Sequence, residues 1–165
     1  MQDIQLSDIA NIIWAIGDNP TREGLKDTPA RVIRSWKEIY SGYTQQADEV
    51  LSTTFSRNRS SGPITLENIN FVSMCEHHML PFYGTVSITY NPTDRILGIS
   101  KLVRLVEVYA RRLQIQERLT YQIADALYNC DAVQSCTVEI RATHLCMIMR
   151  GVCQDNAVMV TREER

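Results

Sequence analysis

Between Leu6 and Ile16, apolar residues recur at helical spacing behind Ser7, a residue suited to an N-cap, and the run stops at Gly17. That pattern predicts a first helix. After the turn-rich Gly17-Asp-Asn-Pro-Thr-Arg-Glu-Gly24, Thr28 and Pro29 supply a cap and an N1 proline for a second helix through Val32, Ile33, Trp36 and Ile39, ending near Gly42. Together they predict an N-terminal helical segment over residues 1–50, ahead of a domain over residues 51–165. Polar residues dominate Ser52 to Gly62, so Ser56-Arg-Asn-Arg-Ser-Ser-Gly-Pro63 reads as an exposed, mobile loop.

From Ile64 the period changes. Ile64–Met74 and Tyr83–Tyr90, the latter alternating through Val86, Ile88 and Tyr90 and closed by Asn91-Pro92, predict two strands. Ser100 then opens a helix with Leu102, Leu105, Val106 and Tyr109 on one face. A second follows Gln114-Ile-Gln116, carrying Leu119, Ile123, Ala126 and Leu127. Cys136, Val138 and Ile140 alternate in a further strand expected to continue through His144–Met149, and Val152–Val160 is a weaker strand candidate. The order α-α-β-β-α-α-β-β is that of an α+β fold, with the helices covering a sheet.

Composition narrows this picture only modestly. A chain of 165 residues fits one core, and 44% hydrophobic with 22% charged residues is ordinary for a globular protein. The net charge of −2 offers no general attraction to nucleic acid or an anionic membrane, so any anion site has to be local. The first residues show neither a basic n-region nor an apolar h-region, and no apolar run approaches the roughly 20 residues of a spanning helix. Five cysteines are an odd number, which argues against a disulfide framework and for a reducing, cytoplasmic setting.

All three histidines fall beside cysteines, in Cys75-Glu-His77-His78 and His144-Leu-Cys146. Thiolate and imidazole are zinc's preferred ligands, and Cys75 with His78 can face one ion from a tight turn. On an extended strand, His144 and Cys146 would project to one face. Two sites fit this spacing. A closed Cys2His2 site of Cys75, His78, His144 and Cys146 would be structural. An open site of Cys75, His78 and Cys146 would leave His77 and His144 for proton transfer, and it accounts for more residues. Cys130, Cys136 and Cys153, with no histidine beside them, read as packing residues.

Gly98-Ile-Ser100-Lys101-Leu-Val-Arg104 sits at a strand-to-helix junction, where free amides, a hydroxyl and two cations could cradle phosphate. It is not a Walker loop, and the same residues fit a solvated helix face equally well. Arg150 could add a cation, or be a strand-end surface charge. Gln116-Glu117 could accept the paired N–H donors of a guanine, yet a charged, Gln-rich helix start is most often simply solvated. A zinc nucleobase deaminase is disfavoured because His-x-Glu and Pro-Cys-x-x-Cys are absent. A zinc-stabilised, ring-forming binding protein remains the non-enzymatic rival.

The stretch Ser73-Met-Cys-Glu-His-His-Met-Leu-Pro-Phe-Tyr-Gly84 closely resembles the GTP cyclohydrolase I family. The likeness continues through Gly98-Ile-Ser-Lys101, Arg111-Arg-Leu-Gln-Ile-Gln-Glu-Arg-Leu-Thr120, Ala142-Thr-His-Leu-Cys-Met-Ile-Met-Arg-Gly151 and the shorter Thr28-Pro-Ala-Arg-Val32. It implies a Zn2+ ion on Cys75, His78 and Cys146, with His77 and His144 assisting proton transfer. It also implies a guanine anchor of Glu117 with Gln116, triphosphate contacts from Ser100, Lys101, Arg104 and Arg150, and Arg31 added from a neighbouring subunit. The implied activity is hydrolytic opening of the guanine ring of GTP, releasing formate and forming 7,8-dihydroneopterin triphosphate. The implied architecture is a tunnelling fold, with sheets and paired helices forming a barrel across subunits of a homodecamer of two pentamers and active sites between chains. One departure stands out: family members usually continue past Arg-Gly-Val into a C-terminal helix, whereas this chain gives Cys153-Gln-Asp-Asn-Ala-Val-Met-Val-Thr161 and stops at Arg165, which leads us to expect weaker ring contacts.

Overall fold

The first helix, α1 (Leu6–Ala15), begins two residues earlier than a Ser7 cap would place it. Gln5 is the capping residue, and its backbone N–H donates to the Asp8 carboxylate at 2.9 Å, so Ser7 lies inside the helix. α2 (Thr28–Ile39) carries Pro29 in its first turn, where a missing N–H costs nothing, and stops at Tyr40. Ile9 and Ile13 of α1 are buried, and α1 packs on α2. The computed structural model describes residues 4–57 and 62–165, so the centre of the expected loop, residues 58–61, lies outside the described residues.

The chain divides into two compact units, Met1–Ser41 and Gly42–Arg165, rather than at residue 50. A short helix the hydrophobic pattern did not announce, α3 (Ala47–Leu51), belongs to the second unit, which continues with β1 (Thr54–Ser56), β2 (Ile64–Cys75), β3 (Pro81–Pro92) and β4 (Arg95–Leu97). There follow α4 (Ile99–Ala110), β5 (Leu113–Gln114), α5 (Gln116–Tyr128), β6 (Val133–His144), α6 (Leu145–Ile148) and β7 (Met159–Glu164). Strands β5-β2-β3-β6-β7 form one sheet, antiparallel except for the β5/β2 pair, and β1 pairs with β4 in a small second ladder.

Long β2, β3 and β6 follow from period-2 alternation: Phe82, Val86, Ile88, Tyr90, Val138 and Ile140 all point into the core. Leu102 and Leu105 of α4 and Leu119, Ile123 and Leu127 of α5 meet them at helical spacing and are fully buried. Cutting any of these leucines or isoleucines to Ala should cost about 2–5 kcal/mol. The register of β2 on β3 slips by one residue between Leu66 and Ile69, where Asn68 adopts φ 58°. This is a β-bulge, with Asn among the few residues that tolerate a left-handed backbone. Gly84 packs so close to β6 that a Cβ there would lie 1.9 Å from the Arg141 carbonyl oxygen. The other face of the sheet leaves Val72, Tyr83 and Val160 exposed.

Candidate metal centre

β2 ends at Cys75, β3 begins at Pro81 and β6 ends at His144, and the register Ser73–Phe82–His144 brings these three ends together. The connection from β2 to β3 is a closed turn. Cys75 N–H donates to the Leu80 carbonyl at 2.9 Å and Met79 N–H donates to the Cys75 carbonyl at 2.8 Å, with Met79 at φ 52°. Glu76 N–H donates to the Gln114 carbonyl at 3.0 Å, tying the turn to β5.

The expectation that His144–Met149 would continue as a strand is corrected. Phe82–His144 is the last β3–β6 pair and β7 pairs no further than Ala142, so beyond His144 the chain has no ladder to join. It closes a local helical bond instead, Met149 N–H to the Leu145 carbonyl at 2.9 Å. Cys146 therefore reaches the centre from the single turn of α6, not from the strand face that carries His144.

Donor atoms of Cys75, His78 and Cys146 all lie within 4.8 Å of one another, with Cys75 Sγ 3.8 Å from His78 Nδ1. Ligands about 2.0–2.3 Å from a tetrahedral zinc ion stand roughly 3.3–3.8 Å apart, so a small contraction suffices, and two sulfurs with one imidazole suit zinc chemically. His144 stands outside this group. Its Nε2 is 2.9 Å from the Gln116 side-chain oxygen, and its ring stacks on Phe82 with centroids 4.7 Å apart and planes 1° from parallel. No closed Cys2His2 set is thus assembled among the described residues. His77 is exposed, its Nδ1 3.9 Å from Cys75 Sγ and its Nε2 3.9 Å from Glu76.

Electrostatics separate these groups further. Burial pushes the His144 imidazole below its ordinary value, while the nearby Glu117 carboxylate pulls it back up. Burial, then the adjacent Cys75, pushes the Cys146 thiol up, and Arg150 acts in the opposite sense. Arg150 Nη1 lies 3.4 Å from His78 Nε2, so this cation sits against the candidate ligands.

The remaining sequence candidates fall in different places. Gln116 is fully buried: its side-chain nitrogen donates to the Ile140 and Met159 carbonyls, both at 3.1 Å, and to Thr161 Oγ1 at 3.0 Å. Its side-chain oxygen faces His144 Nε2. Glu117, one residue on, is exposed and carries no ion pair among the described residues. Ser100, Lys101 and Arg104 occupy the first turns of α4 behind the cap residue Gly98. They lie far from the metal donors: α4 runs its 12 residues away from this point, about 18 Å, before β5 pairs with Cys75. At the far end, Leu97 N–H donates to the Tyr90 hydroxyl, eight positions along β3 from Phe82. Arg31 pairs with Asp27 at 3.6 Å on α2, in the other unit.

Residues that motif reading passed over also belong to the site. Phe82 backs His144; Thr161 and Thr120, whose hydroxyls are 2.6 Å apart, complete the pocket around Gln116; and Arg118 pairs with Glu76.

An α+β unit whose strand ends converge on an open thiolate–imidazole site, with a further histidine held beside it, defines the class. A family model described as GTP cyclohydrolase I matches residues 6–165, and the chain belongs to that family. GTP cyclohydrolase 1 of Wolinella succinogenes is 54% identical over 157 residues, covering 95% of this chain and 84% of the relative. That of Rickettsia rickettsii is 50% identical over 153 residues, covering 93% and 81%, and that of Rickettsia bellii is 50% identical over 154 residues, covering 93% and 80%. Among solved structures, the archaeosine synthase QueF-Like in the apo form matches 63% of this chain and 95% of its own, at 17% identity and a TM-score of 0.47.

Proposed function

We propose that this chain hydrolyses GTP at C8 of the guanine ring, releasing formate and forming 7,8-dihydroneopterin triphosphate, with a zinc ion on Cys75, His78 and Cys146. The observation that carries the reading is the three-donor group with His144 held outside it by Gln116. A zinc ion bound there supplies the Lewis acidity that brings water's loss of a proton near neutral pH.

This chain's own residues do the rest. His144, kept neutral by burial and aligned by Phe82 and Gln116, can take a proton from the attacking water and hand it to the ring nitrogen beside the opening bond. His77, exposed at the mouth, relays protons while the ribose opens and recloses as the pterin ring. Glu117 accepts the paired N–H donors of guanine, and the carboxylate's two oxygens explain a preference over adenine. Gln116, beside it, also holds His144 for this step.

Ser100, Lys101 and Arg104, with Arg150 and Arg31, hold the triphosphate, which is remote from the reacting carbon and contributes positioning. Because the α4 cradle and the metal donors stand at opposite ends of one chain, the cradle of each site comes from a neighbouring subunit, as in a cytoplasmic homodecamer with a tunnelling fold. The test is to supply zinc and GTP to the purified chain: equimolar formate and a dihydropterin absorbance should appear, and ATP should yield neither. Over a dilution series, with light scattering following assembly size and formate release measured alongside, activity per chain should fall as assemblies dissociate; a fully active monomer would defeat the shared site.

A further inference from the structure

Glu76 sits between a candidate zinc ligand and two histidines, yet it is neither ligand nor proton carrier in this geometry. Its carboxylate is engaged by the Arg118 guanidinium from the first turn of α5. Arg118 is in turn fixed from behind: its Nε donates to the Gln114 side-chain oxygen at 3.0 Å. Gln114 is buried, and its side-chain nitrogen donates to the Tyr109 carbonyl at 3.0 Å and the Gln122 side-chain oxygen at 2.7 Å. The same Gln114 holds the turn through its backbone, accepting from Glu76 N–H, and β5 pairs it with Cys75.

We propose that Arg118 is a positioning residue for the metal centre, the outer end of a Gln122–Gln114–Arg118–Glu76 strap that holds the Cys75–His78 turn against α5 in its ligand-presenting shape. The inference rests on the metal reading of Cys75, His78 and Cys146. The strap is not there for global stability. Arg118 and Glu76 keep 41% and 33% of their side-chain surface in solvent, and ion pairs that wet contribute little to folding. What they control is local. A free turn would have to be ordered each time metal binds, and a prepared one would not, which is how partners behind the ligands typically change metal affinity by about 10–100-fold.

A purely electrostatic role would give a different signature. Removing the negative Glu76 beside a cation would weaken binding, and removing the positive Arg118 would strengthen it. The strap demands the same sign from both changes, because either one releases the turn.

The experiment is equilibrium zinc competition against a chromophoric chelator, on the full chain and on Glu76→Gln, Arg118→Gln, Arg118→Lys and the double variant Glu76→Gln/Arg118→Gln, with melting temperatures recorded in parallel. Glu76→Gln and Arg118→Gln should each weaken zinc about tenfold, the double variant should be no worse than either single, and Arg118→Lys should recover part of the loss while melting stays unchanged. Amide exchange at residues 76–79 of the metal-free protein should speed up in both single variants. Tighter zinc in Arg118→Gln, additive losses in the double variant, or parental affinity throughout would overturn the strap while leaving the metal site intact. A parent chain that takes up no zinc would defeat the metal reading, and the strap with it.

Discussion

His144 Nε2 and the Gln116 side-chain oxygen are 2.9 Å apart, and this contact joins the imidazole to a glutamine whose nitrogen is already shared among β6, β7 and Thr161. Gln116 is therefore a keystone between two strands and a reacting group. Replacing it by Ala takes a hydrogen-bond partner from the Ile140 and Met159 carbonyls and from the His144 ring, so the protein should lose roughly 1–3 kcal/mol of stability for each of these groups left unpaired. Chemical denaturation measures this. Stability within experimental error of the parent would show that the amide network is not formed in solution.

His144→Ala should keep about one zinc per chain and lose about 10²–10⁴-fold in turnover, the usual cost of deleting a proton-transfer group. Cys75→Ser and Cys146→Ser should lose tight zinc binding, since a hydroxyl replaces a soft thiolate. Metal analysis beside rates separates these classes, and loss of zinc from His144→Ala would restore the closed four-ligand site.

Much of this was legible in the chain itself. A β-rich run located β2, period-2 alternation located β3 and β6, helical spacing located α4 and α5, and histidines clustered beside cysteines marked the candidate donor group, because each signal is local. What was not legible depended on pairing. Whether the segment after His144 stays extended is decided by where β3 and β7 stop offering partners, which no window around His144 reveals. Gln116 and Glu117 look interchangeable in sequence, yet adjacent helix positions point about 100° apart, sending one into the β6–β7 seam and the other to solvent. Likewise, motifs that share one site in the family reading lie at two ends of a single chain.

Glu117→Gln swaps one acceptor for a donor facing the guanine donors. GTP binding should fall sharply while zinc content and melting stay at parental values. Calorimetric titration with GTP checks this, and parental affinity would remove Glu117 from base recognition.

Because burial and Cys75 raise the Cys146 thiol above its ordinary range, it is protonated at neutral pH in the metal-free protein and must lose that proton to bind zinc. Zinc affinity should thus fall as pH drops, by about tenfold per unit for each proton displaced, and stop changing once pH passes the raised value. Titrations in buffers of different ionisation enthalpy count the protons. Zinc uptake with no proton release between pH 6 and 8 would contradict a thiol ligand at Cys146.

The most direct measurement follows the carbon the chemistry is said to remove. GTP carrying 13C at C8, incubated with the zinc-loaded protein and monitored by NMR, should transfer its label to free formate in a one-to-one ratio with GTP consumed, and should do so far more slowly with His144→Ala. Label that stays in an intact guanine ring while the active-site metal is present, or phosphate released with no formate, would contradict the account.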